Sequence, residues 1–78
     1  MHSDDVLAMA AAVLAGIAPE ADLAALADDD DMREVLDLDS MDFLNFVTGL
    51  QQRIGVEIPD ADAPRLATLR GLRAYFGR

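Results

Sequence analysis

Seventy-eight residues, with 15 acids, six arginines, no lysine and a formal net charge of −9, fit one small domain, residues 1–78. That charge disfavours nucleic acid and anionic membrane surfaces as partners and favours proteins with basic docking faces. The chain has no cysteine, so it forms no disulfide and carries no thiol of its own.

The charge is unevenly placed. Residues 1–42 hold twelve acids and one base, Arg33, whereas residues 43–78 hold three acids and five arginines. In chain order, Ser3 is expected as an N-cap, with Asp4 and Asp5 in the first turn, where the helix dipole favours acids. Val6, Ala10, Val13 and Ile17, with Leu7 and Leu14 beside them, form an amphipathic stripe. Gly16 and Pro19 end it, which predicts a helix over 3–17. The apolar run Leu7 to Ala18 does not read as an export signal, because acids precede it, and it falls short of the roughly 20 residues that span a bilayer. A cytoplasmic monomer without stable membrane association is expected.

Residues 18–38 read as a long connection, longer than small domains usually tolerate, pinned by Leu23, Leu26, Met32, Leu36 and Leu38. Within it Asp28 to Asp31 are four consecutive acids. They lack the alternating ligands, glycine and trailing Glu of a calcium loop, so they read as a solvated turn and no metal site is assigned. A second helix starts at Asp39 or Ser40. Phe43, Phe46, Val47, Leu50 and Ile54 make its core stripe, Gly49 permits close packing, and Gly55 stands just past its C-terminus. Residues 56–60 are extended. Asp60 is expected to cap one irregular turn over about 60–66, limited by Pro64. Thr68 then caps a last helix, with Leu69, Leu72 and Phe76 inward, Arg70, Arg73 and Arg78 outward, and Tyr75 at the edge of the core. Nothing alternates at period two for long enough to make a strand. The fold class is all-α, a small four-helix bundle with three longer helices and a short third.

Taken as residues alone, Ser40 is a helix cap or the neighbour of one, with Asp39 as N-cap and Asp42 at the third helical position. A catalytic serine needs an adjacent base. The only histidine is His2, and there is no nucleophile elbow. No enzyme is indicated.

The ordered set of an acidic loop, Leu36, Leu38, Asp39-Ser40, an amphipathic helix, Glu57-Ile58-Pro59-Asp60 and Thr68-Leu69 resembles the acyl carrier protein family over about residues 30 to 76. The resemblance implies a non-catalytic carrier with 4′-phosphopantetheine attached covalently to Ser40, flanked by Asp39. It implies a phosphopantetheinyl transferase with coenzyme A as the loading partner, then acyl- or aminoacyl-loading ligases and acyltransferase or synthase enzymes, in fatty-acid or polyketide biosynthesis. A phosphodiester at Ser40 would stand at a helix N-terminus, where free N–H groups favour it. The arm would supply the thiol that the chain lacks, and a thioester on it keeps an acyl group activated.

Several residues depart from the family pattern. Met41 stands for the usual leucine, a near-isovolumetric change. Asp37 stands for the usual glycine at a turn. Asn45, Gln51, Gln52 and Arg53 stand where acids are expected. These differences suggest a carrier dedicated to one pathway, docking through Met41, Asp42, Leu44, Asn45 and Thr48. Phe43 and Phe46 are bulky for their positions and suggest a short, polar or aminoacyl cargo. Two alternatives stay open: a stand-alone aminoacyl or peptidyl carrier, and a small helical interaction module with Ser40 as a plain cap.

Overall fold

The computed structural model describes residues 2–77, and within them every regular element is helical. Helix α1 runs Ser3–Ala15. Its N-cap is His2, not Ser3: the imidazole Nδ1 accepts the Asp4 N–H at 3.3 Å. Any acceptor that reaches the first-turn N–H groups can do this work, and an imidazole nitrogen is one. The helix stops two residues before the expected end. The Gly16 N–H turns back to the Val13 and Leu14 carbonyls, so Ile17 packs against the core from beyond the helix.

The connection from 18 to 38 is more structured than its sequence suggests. A 3₁₀ turn occupies Leu23–Ala25, capped by Asp22, and a four-residue helix α2 occupies Met32–Val35, capped by Asp31. Leu23, Leu26, Met32 and Leu38 are buried and pin it, with Leu36 half-buried beside them. The acidic run is not simply solvated. Asp29 holds Arg70 through two hydrogen bonds, 2.6 and 3.2 Å, Asp28 pairs with Arg73 at 2.6 Å, and the Asp28 carbonyl accepts the Arg70 N–H. Asp30 accepts the Ala27 N–H, and Asp31 takes Arg33. Each acid thus has a structural partner. The Asp29 carboxyl titrates below its ordinary range because of the Arg70 bonds, and Asp31 does so because of Arg33.

Helix α3, Ser40–Ile54, follows its sequence signals closely. Phe43, Phe46, Val47 and Leu50 are buried, Ile54 is half-buried, and Gly55 ends the helix at φ 77°. That left-handed conformation is one that glycine adopts without steric cost. Gly49 lets α1 and α3 approach: a Cβ there would stand 2.5 Å from Val13 Cγ1. Gln51 Oε1 accepts the Ile58 N–H at 2.7 Å and ties the extended segment back onto α3.

The expected irregular turn is a regular 3₁₀ helix, Asp60–Ala67, the short third helix of the bundle. Asp60 begins it without capping it. The N-cap is Pro59, which makes no side-chain cap bond. Pro64 gives this run no N–H, but its fixed φ of about −65° fits a 3₁₀ backbone. Thr68 Oγ1 accepts the Gly71 N–H at 2.9 Å and opens α4, Leu69–Phe76. A Cβ on Gly71 would overlap the Arg65 carbonyl oxygen, which is how closely α4 folds back on the 3₁₀ helix. Leu69 and Leu72 are buried, Phe76 is half-buried and Arg70 is exposed. Arg78, expected to face outward, lies outside the described residues. Tyr75 sits at the core edge and donates its hydroxyl to Asp62 at 2.9 Å. α1 packs against both α3 and α4. Among the described residues no helix is long and apolar enough to cross a membrane, and no group of His, Asp or Glu is placed to hold a metal ion.

Candidate functional site

Ser40 is the first residue of α3, and it is exposed. The capping bond belongs to its neighbour: Asp39 Oδ1 accepts the Asp42 N–H at 2.8 Å, and the Asp39 carbonyl accepts the Phe43 N–H at 3.0 Å. Asp39 is thus the N-cap, as expected, and Ser40 is its neighbour; the alternative in which Ser40 is itself a plain cap is corrected. Its hydroxyl stands outside the capping bonds, at the end of the helix where N–H groups have no intrahelical acceptor. That end carries the positive pole of the helix dipole, which favours an anion. An exposed hydroxyl in this position suits attachment of a phosphodiester.

The backbone leading into the site is specialised. Asp37 adopts φ 55°, in the left-handed region, the conformation that a glycine would enter freely and that Asp enters at some cost. Leu38 then plunges into the core. The turn at 37 and the anchor at 38 fix where the chain enters α3, and so where Ser40 points.

Behind Ser40, α3 shows two faces. At about 100° per residue, Met41, Leu44, Asn45 and Thr48 fall within an arc of about 100°, opposite the core stripe. Met41 is 61% exposed and Leu44 53% exposed. Asn45 is exposed and Thr48 half-buried. Asp42 lies on the flank of this arc, half-buried. Gln51 is not part of the outer face, because its side chain is occupied with Ile58. Phe43 and Phe46 are buried with ring centroids 6.1 Å apart, and they fill the α3 side of the core.

Two features escaped the sequence reading. Val35, at the end of α2, is 52% exposed. A four-residue helix has too few positions for hydrophobic periodicity to reveal its faces. Arg33 lies over the Phe43 ring, Cζ 5.1 Å from the centroid, within the range of a cation–π contact. Its isolation as the lone base of the first 42 residues was the available signal.

The family model for the phosphopantetheine attachment site matches residues 4–76. Over 43 residues the chain is 35% identical to the acyl carrier protein of Campylobacter hominis, a stretch that covers 55% of this chain and 54% of that protein. The match thus spans about half the length of that relative. No solved structure matches the chain.

Proposed function

Because the chain belongs to the family of phosphopantetheine attachment domains, whose prosthetic group is phosphopantetheine and whose members are generally non-catalytic carriers, we propose that Ser40 is the attachment residue and that residues 1–78 act as one carrier domain. The observation that carries this reading is the exposed Ser40 hydroxyl at the first position of α3, freed from capping by Asp39. When bound, the arm supplies a thiol that holds a carboxylic acid as a thioester, in a chain without cysteine. Loading would form a bond from Ser40 Oγ to phosphorus and break the phosphoanhydride of coenzyme A, releasing adenosine bisphosphate. The serine proton would go to a base of the phosphopantetheinyl transferase. Nothing in this chain needs to catalyse that step.

The carrier is a cytoplasmic monomer that serves one pathway. Its docking face is built from Met41 and Leu44, bordered by Asp42, Asn45 and Thr48. The apolar centre supports affinity through burial, and the neutral Asn45 lowers long-range steering. Partners are the transferase, a loading ligase and acyltransferase or synthase enzymes. The packing of Phe43 against Phe46 favours a short, polar or aminoacyl cargo, which keeps the stand-alone aminoacyl carrier as the second reading. Intact-protein mass before and after treatment with a broad-specificity transferase, coenzyme A and Mg²⁺ tests the attachment. One phosphopantetheine should be gained by the wild type and none by Ser40→Ala. A folded wild type that stays unmodified would leave a helical interaction module.

A further inference from the structure

The prosthetic group brings a negative charge to a place already crowded with them. From Asp30 to Asp42 there are six acids and one base, Arg33. That base is held in a fixed position. Its carbonyl accepts the Leu38 N–H at 3.0 Å, fastening α2 to the segment that enters α3. Its guanidinium is gripped by Asp31 through Nε to Oδ1 at 3.0 Å and Nη2 to Oδ2 at 2.7 Å, and it lies over the Phe43 ring.

The ring locates the cation relative to Ser40. Phe43 follows Ser40 by three residues, so the two are neighbours on the helix surface. Helical side chains lean toward the N-terminus, so the Phe43 ring covers the turn that begins at Ser40. From that lean, a guanidinium seated on the ring is expected beside the same turn. It has five N–H donors, of which Asp31 takes two, and its side chain is 41% exposed. The remaining donors form a pre-positioned fork of the kind that suits phosphate oxygens.

We propose that Arg33 holds the phosphate of the arm: its free guanidinium donors pair with a non-bridging oxygen of the phosphodiester on Ser40 and offset the repulsion from the surrounding acids. This rests on Ser40 being the attachment residue. In this arrangement Asp31 and Phe43 orient Arg33, and the root of the arm is directed toward α2.

The test follows wild type, Arg33→Gln and Arg33→Lys from apo to holo form, using a broad-specificity transferase, coenzyme A and Mg²⁺. Conversion is read by mass, the phosphodiester by phosphorus NMR and stability by urea unfolding. All three proteins should gain the group. The wild-type phosphorus resonance should move as salt is raised and the pair is screened. In Arg33→Gln it should already lie at the high-salt position and stay there. Loading should be about two- to fivefold less favourable to the folding equilibrium in Arg33→Gln than in wild type, as for an exposed ion pair, with Arg33→Lys between. Comparing apo with holo within each variant cancels the loss of the Asp31 and Phe43 contacts. Coincident resonances and equal apo-to-holo changes in all three would overturn the role of Arg33 while the mass gain upheld Ser40. A wild type that gains no mass would overturn both.

Discussion

Replacing Gly49 with alanine sets two effects of opposite sign against each other. In an isolated helix the change is favourable by about 1 kcal/mol. Here the new Cβ would stand 2.5 Å from Val13 Cγ1, whereas carbon atoms pack best at about 3.5–4.0 Å. Val13 is 7% exposed, in the last turn of α1. A valine in a helix has one strongly preferred rotamer, so it cannot swing aside cheaply, and α1 and α3 must separate instead. Overpacking of this kind costs about 1–3 kcal/mol. The net expectation is a loss of about 1 kcal/mol once the helix propensity is credited. Val13→Ala alone should cost about 2 kcal/mol in lost burial and cavity. In the double variant the clash is gone and the new methyl fills part of the space. Urea unfolding of the four proteins should therefore give a favourable coupling energy of about 1–2 kcal/mol. Effects that add to within about 0.5 kcal/mol, or a Gly49→Ala protein that is more stable than wild type, would show that the helices do not meet here.

At Asp37, whose φ is 55°, glycine should raise the urea midpoint slightly, because relief of left-handed strain of about 1–2 kcal/mol outweighs an entropic cost of about 0.5–1 kcal/mol. Alanine should lower the midpoint, and the same direction for both would refute the strain argument. Tyr75 is the only tyrosine, and its phenol is held above its ordinary range by the hydrogen bond to Asp62, with burial adding to the shift. Absorbance titration should place its ionisation above about 10, and Asp62→Asn should bring it down. The folded state holds this proton more tightly than the unfolded chain. The associated stability is complete below the unfolded pKa and is lost as pH rises through the folded one.

Legibility in the sequence tracked the range of the interactions involved. α3 was readable to within a residue because its determinants are local: the Asp39 cap, a core stripe at helical spacing, and Gly55 behind it. The placement of Ser40, Met41 and Leu44 on that helix is legible for the same reason, since position on a helix follows from its start. α1 was overrun because Ile17 keeps the hydrophobic period after the backbone has turned at Gly16. Its true cap is an imidazole, outside the usual capping residues. The 3₁₀ helix at 60–67 reads as an irregular turn in sequence because Pro64 bars an α-helix and says little about a 3₁₀ one. The order in the acidic loop was invisible, since it depends on Arg70 and Arg73 arriving from the far end of the fold. Arg33 over Phe43 was hidden for a related reason, because it requires knowing how α2 lies against α3.

The fastening of Asp28 and Asp29 to α4 also bears on the lifetime of the native state. It joins residues 41 positions apart, Asp29 and Arg70, and contacts at such separation require most of the chain to be in place before they form. Interactions made after the rate-limiting step leave the folding rate alone and slow unfolding. Arg70→Gln with Arg73→Gln should therefore leave refolding in a stopped-flow experiment unchanged while native molecules open sooner. High salt should reproduce part of this on the wild type, since the Asp29–Arg70 pair is exposed and the Asp28–Arg73 pair half-exposed. On this reading the two arginines set how long the loop before Ser40 stays closed once the protein has folded, and they have little part in getting it there.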